Sequence, residues 1–288
     1  MHKYNKWFQT EGIVFILARN MTVSILGCGW YGLALAKALV AKGIVVNGST
    51  TSADKLDTLQ AEGITPFIID LSAEHTALNP AFFTCDVLII AIPPKSRSGE
   101  GAEYVHKLQR AIDAVNQGSV KKVILISSTG VYAEQNMELN ELSDPKPNTP
   151  SGLILFDAEE LFRHQTGFKT TIIRFGGLVG PGRDPGRFFA GKKDIPNGLA
   201  PVNMIHQDDC IGFTLAVMAK NAFGYTMNAC TPHHPPKFAF YTQAAAKAGL
   251  EHPVFIPELK EWKIISSVNA DEVLAYHFKI KNWFEWLA

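Results

Sequence analysis

Three glycines in the run Gly27-Cys28-Gly29-Trp30-Tyr31-Gly32 are the residues of this chain best suited to hold a phosphorylated ligand. A turn that binds phosphate must bring backbone N–H groups close to the anion, and side chains would stand in the way. Gly27 permits the tight turn, Gly29 lets the backbone approach a pyrophosphate, and Gly32 lets helix and strand pack closely. Trp30 and Tyr31 fill the variable positions and join the glycines as cofactor-binding candidates. An ordinary strand-to-helix turn would use glycines too, but the flanks favour the first reading. The apolar run Val23, Ile25, Leu26 precedes the turn, and Leu33, Leu35, Ala36 and Leu39 follow at helical spacing. That is the strand–turn–helix of a dinucleotide site.

Other residues carry chemistry of other kinds. His206 and Asp209 have the i, i+3 spacing that can present two metal ligands on one helix face, but no third ligand cluster is visible, so no metal is expected. The structural alternative is that Asp208 or Asp209 caps a helix over Ile211–Lys220 while His206 anchors the loop. His206 also titrates near neutrality, which keeps it a candidate for proton transfer. Cys28, Cys85, Cys210 and Cys230 are scattered with no CxxC pair. They read as reduced thiols of a cytoplasmic protein.

The elements that must position these groups alternate. Gly43–Thr50 reads as a second strand, whose end faces the adenosine ribose in dinucleotide folds. Here it continues Ser49-Thr50-Thr51-Ser52, with no carboxylate to accept from a 2′-OH. Hydroxyls tolerate a 2′-phosphate, and Lys55 adds charge, so Thr50 and Thr51 favour NADP somewhat over NAD. Ile64–Leu71 is a third strand. Its terminal Asp70-Leu71 either meets an adenine edge or caps the next turn. Cys85–Ile92 is a continuous apolar run, as expected of a buried parallel strand. Ala91, at its carboxyl end, is a further cofactor candidate. Pro93-Pro94 stops the run, and a polar loop rich in Ser, Gly and Lys follows. Helical spacing over Glu103–Val115 and a strand over Val120–Ser127 complete the series. The alternation specifies an α/β fold, a Rossmann-type doubly wound parallel sheet, with ligands beyond the carboxyl ends of its strands.

At Ser127-Ser128-Thr129-Gly130-Val131-Tyr132 the chain resembles the SSxxVYG segment of the extended short-chain dehydrogenases/reductases, the nucleotide-sugar epimerase and dehydratase group. Thr171–Arg183 (TIIRFGGLVGPGR) resembles that family's sixth strand and GPG turn. Val202–Asp209 (VNMIHQDD) resembles its segment leading into a helix. The resemblance runs over residues 21–288. It implies NAD or NADP as cofactor and a small polar, nucleotide-sugar-like substrate. Catalytic candidates are then Ser128, Tyr132 and His206, with Tyr132 either beside the nicotinamide or in the core. Arg183 and Arg187, after the GPG turn, would help hold a substrate diphosphate or simply lie in a solvated loop.

Two departures matter. The glycine pattern is GxGxxG where extended members carry GxxGxxG. The family's Tyr-x-x-x-Lys pair is also absent. It should stand just before the helix carrying Phe156–Phe162, yet Pro150–Leu155 holds neither residue, and none of the seven tyrosines has a lysine four positions on. A phenol has a pKa of about 10 and needs such a lysine to act as an acid–base group at neutral pH. The pattern resembles atypical members of the superfamily. It leaves open an oxidoreductase or epimerase-like enzyme, a non-catalytic NAD(P)-binding sensor or regulator, and a structural partner whose cofactor is only a folding ligand.

Composition sets the bounds. The chain has 288 residues, 47% of them hydrophobic, enough for one α/β domain with an appendage or two small domains. Lys plus Arg and Asp plus Glu are 27 each, which favours neither nucleic acid nor an anionic membrane as partner. Gly12–Ala18 is too short an apolar run to span a bilayer. Residues 1–20 are expected to be a non-native or misassigned extension ahead of Met21. The nucleotide-binding domain is expected over 21–177 and a small C-terminal substrate-binding lobe over 178–288, with segments returning to the sheet. Strand-like Tyr225–Cys230, helical Phe238–Leu250, short strands at Val254–Ile256 and Ile264-Ile265, and an aromatic tail over Phe278–Leu287 fill that lobe. The tail's aromatics suit a core or a contact with a second copy of the chain. His233-His234, between prolines, reads as a surface loop.

Overall fold

A computed structural model describes residues 21–72, 77–94 and 101–288. The expected extension over 1–20 and the polar loop after Pro94 lie outside the described residues. The chain opens with β1 (Thr22–Leu26), α1 (Trp30–Val40), β2 (Val45–Thr50), α2 (Leu56–Ala61) and β3 (Thr65–Ile68). It continues with β4 (Val87–Ile90), α3 (Gly101–Gln117), β5 (Lys122–Ser128), β6 (Met137–Leu139), α4 (Pro150–Arg163) and β7 (Lys169–Phe175). The remainder is β8 (Gly177–Val179), β9 (Met204–His206), α5 (Gln207–Ala219), β10 (Thr226–Ala229), α6 (Lys237–Lys247), β11 (Lys263–Ile265), α7 (Val268–Glu272) and α8 (Trp283–Leu287).

Seven strands form one parallel sheet in the order β10-β7-β5-β4-β1-β2-β3. The order reverses between β1 and β4, and a crevice opens there beyond the carboxyl ends. The apolar runs follow from burial on both faces. Val87 and Ile89 of β4 join the layer packed with α1 and α5, whereas Leu88 and Ile90 join the layer packed with α3 and α4. Period-2 alternation is hidden because both faces are covered. The polar Ser24 of central β1 is tolerated because its hydroxyl donates to the Phe82 carbonyl at 2.6 Å and accepts from Asn47 Nδ2 at 3.1 Å.

The smaller C-terminal part is tied to this sheet at several places. β10 returns to its edge beside β7, β8 pairs with β9, and β11 pairs with β6. The Asp209 carboxylate, fully buried, accepts from the Tyr276 hydroxyl at 2.8 Å and from the backbone N–H groups of Lys279 and Ile280 at 2.7 and 3.1 Å. It thereby fastens the tail to the start of α5. Trp283 is fully buried, its ring 5.7 Å from that of Phe240.

Several sequence expectations need correction. Asp209 does not cap α5, and neither does Asp208. The cap is His206, whose Nδ1 accepts from the Asp208 N–H at 3.2 Å. His233-His234 is an anchor, not a free surface loop: His233 Nδ1 accepts from the Trp283 N–H at 2.9 Å, and His234 Nδ1 lies 3.0 Å from the Val202 carbonyl. Val254–Ile256 makes only an isolated bridge, Phe255 to Ile195. α4 starts at Pro150, capped by the Thr149 hydroxyl on the Gly152 N–H at 3.0 Å.

Candidate functional site

The glycine-rich turn is shaped by backbone proximity. Gly27 has φ +101°, and a Cβ there would meet Ile92 Cγ2 at 2.9 Å. A Cβ on Gly32 would overlap the Gly27 carbonyl oxygen, so α1 sits on the turn with no room for a side chain. Gly29 differs, because a Cβ there would meet nothing within 4 Å. Ser49, at the end of β2, holds the turn from behind. Its hydroxyl accepts from the Gly27 N–H and its carbonyl from the Cys28 N–H, both at 2.9 Å. Sequence reasoning treated Ser49 only as part of a hydroxyl-rich strand end, and no local pattern announces this bracing role.

α1 begins without a side-chain cap and without an acidic residue in its first turn. α4, α5 and α8 are capped by Thr149, His206 and Asn282, whereas α2, α6 and α7 share with α1 the lack of a side-chain cap. The first N–H groups of a helix have no intrahelical acceptor, and they carry the positive end of its dipole. An uncapped terminus beside an open glycine is a cradle for an anion.

A cleft of about 420 Å³ runs from this turn across the strand ends. Gly27, Gly29, Thr50, Thr51, Asp70, Leu71 and Ala91 all line it. Trp30, Tyr31 and Gly32 stand behind them as the first turn of α1. Tyr31's side chain points into the core, its hydroxyl 2.6 Å from Thr214 Oγ1, so only its backbone belongs to the turn. Lys55, Ser72, Tyr104 and Lys107 also line it. Tyr104 and Lys107 come from α3, where helical spacing marked only the core face.

Asp70 performs the turn-capping role: its Oδ1 accepts from the Ser72 N–H at 2.9 Å and hydroxyl at 2.5 Å. Those bonds, with the nearby Lys107 and Arg110 charges, lower its pKa. Asp70 itself lines the cleft. Burial pushes the Cys28 thiol up to about 11, so Cys28 is an inert filler of the turn.

The three catalytic candidates are not gathered at this cleft. Ser128 Oγ accepts from the Gly130 N–H at 3.1 Å and caps the short turn over Thr129–Val131. Tyr132 is 2% exposed, so the second of its two expected placements, the core, is the one observed. Its hydroxyl donates toward the Asn140 carbonyl at 2.9 Å and Asn228 Oδ1 at 3.1 Å, and accepts from Arg174 Nη1 at 2.7 Å. Burial raises its pKa, against the nearby Arg174 charge. A phenol so engaged has no free edge for a substrate. His206 is nearly buried beside Trp286, ring centres 5.3 Å apart. Burial lowers its pKa, and Nδ1 is already used as the cap.

The loop after β8 reaches back to the glycine turn. Trp30 Nε1 donates to the Pro181 carbonyl at 2.6 Å, and the Arg183 guanidinium lies 4.5 Å from the centre of the Trp30 ring. Spacing along the chain gave no hint of this contact across 151 residues. Among the described residues, no group of three or more His, Cys, Asp or Glu is arranged to hold a metal, and no helix is long and apolar enough to cross a membrane.

The sheet order, the glycine turn at the switch point and the uncapped α1 define a Rossmann-type dinucleotide-binding protein. The particular family follows from comparison: a model of the NAD(P)H-binding family matches residues 27–209, and the chain belongs to it. Protein YeeZ of Escherichia coli (strain K12) is 36% identical over 245 residues, which cover 84% of this chain and 89% of YeeZ. In fold the chain is similar to the extended short-chain dehydrogenases/reductases. UDP-glucuronic acid 4-epimerase from Bacillus cereus, in complex with UDP-glucuronic acid and NAD, superimposes with a TM-score of 0.76 at 20% identity, covering 93% of this chain and 96% of that one. UDP-glucose 4-epimerase from Thermotoga maritima, with UDP-glucose, gives 0.74 at 18% identity, covering 90% and 94%.

Proposed function

We propose that the protein is an NAD(P)-dependent oxidoreductase or epimerase-like enzyme acting on a nucleotide-sugar-like or other small polar substrate without a Tyr-x-x-x-Lys pair. The observation that carries the nucleotide site is the uncapped amino end of α1 facing the open side of Gly29. Gly27, Gly29, Gly32 and the backbone of Trp30 and Tyr31 hold the diphosphate. Asp70 and Leu71 border the adenine, and Ala91 borders the rest of the dinucleotide. Thr50 and Thr51 face the ribose, and with Lys55 on the cleft wall they favour the 2′-phosphate of NADP. The bound dinucleotide supplies or accepts hydride. Residues 21–177 form the nucleotide-binding domain and 178–288 the substrate lobe, from which segments such as α5 and β10 return to the sheet. The four cysteines are free thiols, which suits the cytoplasm.

Ser128 is the polar group retained for substrate. Its oxygen accepts from Gly130, which leaves its own proton free to donate to a substrate oxygen. In neutral His206 the cap fixes the proton on Nε2, which makes that nitrogen a donor and not a base. Tyr132 is assigned a structural role.

One observation favours a second reading, a non-catalytic NAD(P)-binding sensor or regulator: Ser128, Tyr132 and His206 are each bound into the fold. Titrating NADH and NADPH separately, by fluorescence and thermal shift, tests the site. Oxidation of bound NADPH by carbonyl compounds or nucleotide sugars supports the enzyme. Tight binding with no turnover on either panel supports the sensor, and no binding of either nucleotide removes both.

A further inference from the structure

We propose that Arg183 is a ligand for the diphosphate of the dinucleotide, contributed from the loop after β8; this rests on the nucleotide site proposed above. Trp30 is the first residue of α1, and the Arg183 guanidinium lies over its indole, 4.5 Å from the ring centre. The placement is built from both sides. Trp30 Nε1 holds the Pro181 carbonyl, and Gln207 Nε2 donates to the Trp30 carbonyl at 2.9 Å. A Cβ on Gly180 would meet Gln207 Cβ at 3.0 Å and both Trp30 Cζ2 and His206 Nε2 at 3.4 Å, so the loop is seated without slack.

The guanidinium is offered to something outside the fold. Arg183 is exposed, and among the described residues it has no carboxylate partner in any ion pair. One face lies on the indole, which preorganises the planar fork of N–H donors that matches phosphate oxygens. The helix that carries Trp30 is the one whose amino end forms the nucleotide site proposed above. α1 has neither cap nor acidic residue in its first turn, and Gly29 opens onto free space. Arg183 then adds a full charge to a site otherwise made of backbone dipoles. A substrate diphosphate is the rival ligand for the same chemistry, and the test separates them.

Calorimetric titration of the full chain with NADH, NADPH and UDP-glucose is run for the unsubstituted protein, Arg183→Ala and Arg183→Lys. Because the diphosphate is common to both dinucleotides, Arg183→Ala is expected to weaken NADH and NADPH by a similar factor, about tenfold or more. The salt dependence of both should fall as well. Arg183→Lys keeps the charge without the fork and recovers part of the loss, which keeps the test valid if the alanine variant folds poorly. Unchanged dinucleotide affinity overturns the proposal, including the case where only UDP-glucose is weakened. A loss confined to NADPH overturns it too, since that would place Arg183 at the 2′-phosphate. Failure of the unsubstituted chain to bind either dinucleotide refutes the nucleotide site itself, whereas normal binding with an indifferent Arg183 refutes only this assignment.

Discussion

Arg174 of β7 and Glu159 of α4 form a buried ion pair, with Nη2 to Oε2 at 2.5 Å and Nε within 2.9 and 3.1 Å of the two carboxylate oxygens. Their side chains are 3% and 0% exposed. Ser127 donates to the same carboxylate at 2.6 Å, and Arg163 reaches it at 3.1 Å. Burial opposes the Arg174 charge, but the hydrogen bonds and charge of Glu159 outweigh it and raise its pKa. Glu159→Gln should therefore cost about 3–5 kcal/mol by leaving a buried guanidinium uncompensated. Urea unfolding checks this through a lower midpoint at constant slope. Replacing both groups, as Arg174→Met with Glu159→Leu, is expected to recover much of that loss. A double variant as unstable as the two single losses added together would count against a coupled pair.

Tyr132→Phe separates structural from catalytic use of that hydroxyl. Removing it leaves Arg174 Nη1 and Asn228 Oδ1 without a partner they now share. The expected loss is about 1–3 kcal/mol of stability with nucleotide affinity unchanged. A variant of normal stability that binds nucleotide but loses all turnover would restore Tyr132 to the reaction.

Alanine at two glycines should have opposite effects. Gly32→Ala forces a Cβ onto the Gly27 carbonyl, so the thermal midpoint should fall sharply. Gly29→Ala meets open space, and the backbone there, φ −84° and ψ −155°, is extended with negative φ. Its melting point should be unchanged while NADH and NADPH binding is lost, because the methyl group occupies the phosphate cradle.

At the ribose end, Thr50→Asp keeps the acceptor that Thr50 Oγ1 gives the Ser52 N–H at 3.1 Å and adds a negative charge. NADPH should weaken relative to NADH by about tenfold or more, through repulsion of the 2′-phosphate. An unaltered ratio would mean that this strand end does not face the ribose phosphate.

Acid should destabilise the protein beginning just below pH 6.5. His206 and His234 both have lowered pKa values, mainly through burial. Folded and unfolded chains bind protons alike well above 6.5; below it the unfolded chain binds more, so stability falls as pH falls toward the native values. Glu141, raised from 4.5 by burial, acts in the opposite sense above pH 4.5 and blunts the lower part of the curve. His206→Asn, which keeps a capping acceptor, combined with His234→Gln should flatten the decline. Chemical unfolding at pH steps from 7.5 to about 5 measures it.

The parts of the fold that the amino-acid sequence made legible are those whose cause is local. Val23 to Gly32 carries strand, turn and helix within a few residues, and the β4 run betrays burial on both faces. The three-residue strand β6 carries no periodicity, and its pairing with β11 depends on a partner far along the chain. The same holds for Tyr132 and Arg174, 42 residues apart, and for Tyr132 and Asn228, 96 apart. Ser128, Tyr132 and His206 were placed by resemblance to family segments, which conveys position along the strand ends but not which way a hydroxyl is engaged. His206 takes the capping role that residue preference gives to an aspartate, while the Asp209 carboxylate is engaged by Tyr276, Lys279 and Ile280.

The return of β10 to the sheet edge has a consequence for how the protein is made. The strand beside β7 is not translated until Thr226–Ala229, after the β8–β9 pair and the whole of α5. A nascent chain halted at residue 200 therefore exposes the apolar flank of β7 with its hydrogen-bonding edge unpaired. Such intermediates call for chaperone cover, and folding should complete only once the last third of the chain has left the ribosome. Protease resistance of arrested chains of increasing length would show this as a single late step near residue 230 or beyond. Stepwise protection that is complete by residue 200 would contradict it.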